Sequence, residues 1–375
     1  MEDKLVTLAI HTNEKARILK EVLEKEGIPV HIESIEDNHP ERVAAGVRVR
    51  IKQSDLPEAL KLVETYNLFD YTDEDTLKMD DGRSRILVPV DFSDYSLNAC
   101  QVAFTIASLI NAKVKILHVF YNPYFPSSLP MAKAFEYAKD GKQYNDVLDK
   151  VRIRMQDLCN TIDRKMDAGE LPVVNYSYAI KEGSDDVDIV EYAKKYKPVL
   201  VIMGTKGKDM NDDYVLGSVT AEVIEMSDFA VLAVPKNSSF KDGRHANHIA
   251  FLTNFTQRDL ISFDHLVRLV KHYQDPRITL IHVNIVNKKK AKWSEGDIAK
   301  IRDYFMQHYP DLKIGYKLID TEDMFSAIAH YLEDEKIDIL ALNTRKRNIF
   351  GRMFVPSVSR KLLARSNTTL LVLRG

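Results

Sequence analysis

Cysteine is almost missing from this chain: Cys100 and Cys159 are the only two in 375 residues. Two thiols cannot build a disulfide framework or a cysteine-rich zinc site. Cys100 falls in an apolar helical pattern with Ala99, Val102 and Ala103, so it reads as a buried structural thiol. Long hydrophobic runs are missing too. No stretch approaches the ~18 apolar residues of a membrane-crossing helix, and the charged start Met1-Glu2-Asp3-Lys4 has no signal-peptide core. The expectation is a soluble cytoplasmic protein. Neither sign of charge dominates: 53 Lys and Arg face 55 Asp and Glu, a net charge of −2, which gives no basis for broad attraction to nucleic acid or membranes. Neither an H-E-x-x-H helix nor a G-x-S-x-G elbow occurs. His11 and His31 lack metal-ligand spacing. His118 and His282 have no visible acid–base partner and read as structural.

What is present is a glycine pattern. Residues 204–218 contain G-x2-G-x9-G-S, made by Gly204, Gly207, Gly217 and Ser218, directly after the apolar run Val199-Leu200-Val201-Ile202-Met203. Glycines beyond a buried strand let backbone N–H groups approach a phosphate. Gly217-Ser218 precedes a helical pattern whose first N–H groups add a second phosphate-binding surface. The pattern is neither a P-loop, which ends in Lys-Ser/Thr, nor a G-x-G-x-x-G dinucleotide fingerprint.

The chain also repeats itself. Arg85-Ile86-Leu87-Val88-Pro89-Val90-Asp91-Phe92-Ser93 matches His248-Ile249-Ala250-Phe251-Leu252-Thr253-Asn254-Phe255-Thr256. Lys115–Phe120 matches Thr279–Asn284, Val199–Thr205 matches Asp338–Thr344, and Ala230–Val234 matches Thr369–Leu373. Between matched landmarks the first repeat carries 25 more residues, placed at about 121–145. A connection of that length reads either as a lid over the site or as a partner-binding or mobile segment. Near-continuous apolar strands alternating with amphipathic helices imply parallel sheets covered on both faces, with ligands beyond the C-terminal strand ends.

Residues 1–69 differ. Two short strands follow a first strand and helix, with period-two alternation at Val47-Arg48-Val49-Arg50-Ile51, and a second helix runs from Leu56 to Tyr66. The fold class expected is α/β: two tandem parallel-sheet domains, 84–236 and 247–375, preceded by a small ferredoxin-like α+β domain at 1–69.

Pro89-Val90-Asp91-Phe92-Ser93, His118-Val119 and the full G-x2-G-x9-G-S together resemble a tandem universal stress protein of the nucleotide-binding type. The resemblance implies that the first repeat holds ATP, for stress-response signalling. Asp91 and Val119 would hold the adenine end, Pro89 would line the same pocket, and Val90 and Met203 would also belong to the nucleotide site. Gly204 and Gly207 would approach ribose and phosphates, and Gly217, Ser218 and Val219 would bind the phosphate tail. Val90 stands where some relatives carry threonine. Lys206 and Lys208 read either as phosphate contacts or as solvated lysines. Asp209, Asp212 and Asp213 read either as help for Mg²⁺ beside the phosphates or as a solvated acidic loop. The last strands of the two repeats would pair as an intramolecular pseudo-dimer, and pairing of whole chains is left open. Residues 1–69 resemble a small family of prokaryotic signal-transducing domains.

The second repeat departs at every glycine: Asn343, Lys346 and Pro356 replace them, Asn254 replaces the aspartate, and only Ser357 is retained. A proline removes a backbone donor, so this repeat is expected to serve as a structural partner without ATP. Arg345-Lys346-Arg347 reads as a residual anion site or a charged turn, and Lys288–Trp293 as an anion-facing or solvated loop. Three functions remain open: a nucleotide-binding signalling protein without a catalytic residue, a slow ATPase or phosphotransfer enzyme, and a scaffold that needs no nucleotide.

Overall fold

The computed structural model describes residues 4–11, 13–34, 47–56, 58–59, 62, 83–121, 142–205, 217–240, 243–286, 293–343 and 368–374. In chain order the first elements are β1 (Leu5–His11), α1 (Asn13–Lys25), β2 (His31–Ser34), β3 (Val47–Lys52), β4 (Ser84–Pro89), α2 (Asp94–Leu109), β5 (Ala112–Phe120), α3 (Lys142–Asp167), β6 (Tyr176–Glu182), α4 (Asp185–Tyr196), β7 (Leu200–Gly204), α5 (Ser218–Met226) and β8 (Val231–Val234). The second repeat supplies β9 (His248–Leu252), α6 (Gln257–Val270), β10 (Arg277–Ile285), α7 (Glu295–His308), β11 (Lys313–Thr321), α8 (Met324–Asp334), β12 (Ile339–Asn343) and β13 (Thr369–Leu373). The chain divides into two compact units, one formed by Met1–Arg83 with Phe120–Glu182, the other by Ser84–Val119 with Gly183–Gly375. Among the described residues no helix is long and apolar enough to cross a membrane.

In the first unit β3 lies between antiparallel β1 and β2. Alternation along β3 sends Val47, Val49 and Ile51 into one core with Ala16, Leu19 and Leu23 of α1. Arg48 is on the opposite face, yet it is buried. Its guanidinium meets Asp167 of α3 at 3.2 Å and Asp163 at 4.0 Å. Asp163 also accepts the Tyr176 hydroxyl at 2.8 Å. Burial, together with the negative charge beside it, holds the Tyr176 phenol well above its ordinary range. The period-two pattern at 47–51 marks two faces, and α3 covers the one that carries Arg48. Residues 57, 60–61 and 63–66 of the expected second helix, and 122–141 of the connection expected at about 121–145, lie outside the described residues.

In the second unit nine strands run β11-β10-β9-β12-β13-β8-β7-β4-β5. Neighbours are parallel except β13 and β8, which pair antiparallel with Leu371 opposite Leu232. The two repeats therefore join edge to edge through their last strands, as expected, and neither apolar edge is left open. Every residue of β7, β8 and β13 is buried, which matches sheets covered on both faces. Cys100, inside α2, is fully enclosed, and burial pushes its thiol up to about 12, so it is inert. Numbered within the second repeat, the strand order is 3-2-1-4-5; the first places β4 beside β7 in the same way. The order reverses between strands one and four, which is where clefts open beyond the C-terminal strand ends.

Candidate functional site

At that reversal in the first repeat, β4 ends at Pro89. The Val90 N–H donates to the Leu117 carbonyl at 2.8 Å, and the Val90 carbonyl meets His118 Nδ1 at 2.6 Å. The chain then turns. Asp91 Oδ1 accepts the Ser93 N–H at 3.0 Å and its hydroxyl at 2.6 Å. Ser93 Oγ in turn accepts the Ser96 N–H at 3.3 Å and caps α2. Phe92, between them, has φ 62°. A left-handed phenylalanine costs about 1–2 kcal/mol, and the aspartate turn holds it there. Its ring lies 4.4 Å from the His118 ring. Val90, Val119 and Met203 are buried at the adjoining strand ends.

Beside this turn, β7 ends at Gly204. A Cβ there would stand 2.8 Å from the Tyr95 carbonyl carbon and 2.9 Å from its oxygen. The missing side chain thus lets the first turn of α2 press against the strand, a packing reason that the sequence alone did not supply. The loop that follows is tied at both ends. Thr220 Oγ1 donates to the Gly204 carbonyl at 2.8 Å, and the Gly217 N–H donates to the Thr205 carbonyl at 2.7 Å. With its N–H used there, Gly217 contributes shape and leaves the open donors to Ser218 and Val219 in the first turn of α5. Ser218 is exposed. Gly207, Lys206, Lys208, Asp209, Asp212 and Asp213 lie outside the described residues, 206–216.

A further carboxylate joins the turn. Asp185, the first residue of α4, is raised above its ordinary value, first by loss of water, with His118 lowering it and Asp186, Asp91 and Asp188 raising it. Asp186 is also pushed up by burial, but hydrogen bonds from Ser184, from the backbone and with Glu222 more than offset this and leave it below its ordinary range. Nothing in the motif pointed to Asp185, because it lies far along the chain from Asp91. The site is polarised as a result: carboxylates gather at the β4 end, and the positive end of a helix stands at the β7–α5 end. No group of three or more metal-ligating side chains occurs among the described residues.

The second repeat builds the same turn. Phe255 has φ 55°, His282 Nδ1 meets the Thr253 carbonyl at 2.9 Å, and Thr256 caps α6. Around it the chemistry differs. Asp259 accepts the N–H groups of Asn254 at 3.0 Å and Thr256 at 3.1 Å, the Thr253 hydroxyl at 3.3 Å, and the amide of Asn343 at 3.1 Å. Asn343 stands at the position of Gly204. Arg345, Lys346, Arg347, Pro356 and Ser357 lie outside the described residues, as do residues 288–292 of the basic run.

Two doubly wound α/β repeats, joined through their last strands and each reversing its strand order between strands one and four, define a tandem α/β class. Residues 82–235 and 253–374 match the universal stress protein family, and the chain belongs to that family. It is 30% identical over 155 residues to a universal stress protein of Methanocaldococcus jannaschii, covering 40% of this chain and 82% of that protein. A universal stress protein from Archaeoglobus fulgidus superposes with a TM-score of 0.53 at 15% identity, over 78% of this chain and 96% of its own, which is likeness of fold. A universal stress protein solved in complex with cAMP is 24% identical, over 41% of this chain and 97% of its own, with a TM-score of 0.25.

Proposed function

We propose that the first repeat binds ATP and that the chain is a nucleotide-dependent stress-signalling protein. The observation that carries this reading is the polarity of the cleft. Asp91 and Asp185 gather where a nucleoside offers amino and hydroxyl donors. Ser218 and Val219 open α5 where phosphates find N–H groups and a favourable helix dipole. Pro89, Val90, Val119 and Met203 supply the apolar walls of the base end, Gly204 and Gly207 bring the loop toward ribose and phosphates, and Gly217 shapes the phosphate end. The repeats at 84–236 and 247–375 act as one pseudo-dimer in which only the first is loaded, and 1–69 is its signalling module. The test is mass spectrometry of small molecules released from freshly purified, denatured protein, followed by calorimetric titration with ATP, with and without Mg²⁺. One nucleotide per chain is expected. Two would contradict the assignment to a single repeat, and none would favour a scaffold.

A further inference from the structure

The second repeat has kept the left-handed turn and covered it. The indole of Trp293, the chain's single tryptophan, lies 4.8 Å from the Phe255 ring and 5.4 Å from the His282 ring. Phe255 and His282 are the counterparts of Phe92 and His118. The placement is held from below by Asn284, whose side chain accepts the Trp293 N–H at 3.1 Å and donates to the Trp293 carbonyl at 3.0 Å. Asn284 is buried, and its amide also donates to Asp320 at 2.9 Å. One buried amide thus holds both main-chain polar groups of a residue whose ring remains partly exposed. Burial of an indole needs no such clamp; fixing its position does. We propose that Trp293 fills a subsite for a flat heteroaromatic ring, so that the second repeat is closed by its own side chain and not only by the loss of its glycines. Naming that ring a nucleobase rests on the reading of Asp91, beside which Phe92 and His118 stand, as the nucleoside end of the first repeat.

Removal of the indole leaves a hollow that a small aromatic molecule can refill. Full-length Trp293→Gly is titrated with free indole and with adenosine while the melting temperature is followed. Both ligands are expected to raise it saturably in the variant and to leave that transition of the wild type unmoved under indole. A folded variant that does not respond to indole overturns the proposal. Asn284→Ala provides a second route, read through the lone tryptophan: iodide quenching of its emission is expected to rise several-fold over wild type, and unchanged quenching overturns the clamp. The indole response and the quenching concern the second repeat alone; adenosine also reaches the first, so its effect counts only as the excess over wild type. A response to indole in a protein that binds no ATP upholds the filled hollow and sinks the nucleotide reading. One bound ATP with no response to indole upholds the nucleotide reading and sinks the plug.

Discussion

The two repeats start from the same strand-end turn and use it differently. Each has a left-handed phenylalanine, a histidine Nδ1 on the carbonyl two residues before it, and a hydroxyl cap on the following helix. Four exchanges then separate them: Asp91 against Asn254, Ser96 against Asp259, Gly204 against Asn343, and, at the first residue of the helix after the third strand, Asp185 against Met324. In the second repeat Asp259 gathers four donors from its own surroundings, among them the Asn343 amide. A carboxylate so engaged is a structural group. The polar groups of a strand-end turn in this fold can thus be satisfied internally while the scaffold around it is retained.

The repeats also differ in the helix after their second strand, 26 residues in α3 and 14 in α7. The longer helix carries Asp163 and Asp167, the seat of Arg48. Breaking that seat has the largest expected effect. Arg48→Ala leaves Asp163 as a buried charge, and removing one partner of a buried pair costs about 3–5 kcal/mol. Asp167 is half exposed, so Asp167→Ala costs less than about 1 kcal/mol. Urea denaturation of the full-length variants checks this, and equal losses would show that the buried pair is not the anchor.

Converting one repeat toward the other comes next. Gly204→Asn forces a Cβ into the Tyr95 main chain, and overpacking of this kind costs about 1–3 kcal/mol. Adding Ser96→Asp supplies the carboxylate that Asn343 uses in the second repeat and should recover part of the loss. A double-mutant cycle with no coupling between positions 96 and 204 would break the equivalence of the two strand ends.

How far the residues announced this architecture depends on the range of the forces involved. The parallel strands, the repeat and the pairing of β8 with β13 follow from apolar runs and the need to cover an edge, which a local pattern displays. The burial of Arg48 was not legible because period two reports only the strand's own pleat, not a helix more than a hundred positions later. Gly204 reads in the sequence as a phosphate-loop glycine, whereas its close approach to Tyr95 needs the packing of α2 on β7. Trp293 read as one aromatic in a basic loop because Asn284 and the left-handed Phe255 carry no sequence mark. Asp185 was missed for the same reason: only the fold brings it to Asp91.

The carboxylate exchange is tested by affinity. Asp91→Asn keeps the Oδ1 acceptor that holds Ser93 and removes the charge. A hydrogen bond to a charged group contributes about 1.5–3 kcal/mol, so ATP binding should weaken roughly 10- to 100-fold. The reverse change, Asn254→Asp, should create no second site, because Asn343 and Trp293 remain. Calorimetric stoichiometry rising to two in that variant would show that a single carboxylate had separated the repeats.

The smallest effect is electrostatic and belongs to the first repeat alone, since Met324 cannot ionise. Asp185 is held above its ordinary value of 3.8, by desolvation first and then by neighbouring carboxylates. The folded form therefore binds this proton more tightly than the unfolded chain does. The stability it contributes is complete below pH 3.8 and is lost as the pH rises through the higher folded value. Asp185→Asn removes the lost portion: its melting temperature should exceed that of wild type slightly at pH 7 and converge with it near the acid end. Asp186, lowered by its hydrogen bonds with Ser184 and Glu222 despite the opposing pull of burial, has the opposite sign. Asp186→Asn should melt lower than wild type at pH 7, with the gap closing as the pH falls through its folded value. Two adjacent carboxylates with opposite pH profiles would locate the negative end of the cleft at the start of α4, whereas parallel profiles would remove Asp185 from the site and leave Asp91 as the single acid distinguishing the repeats.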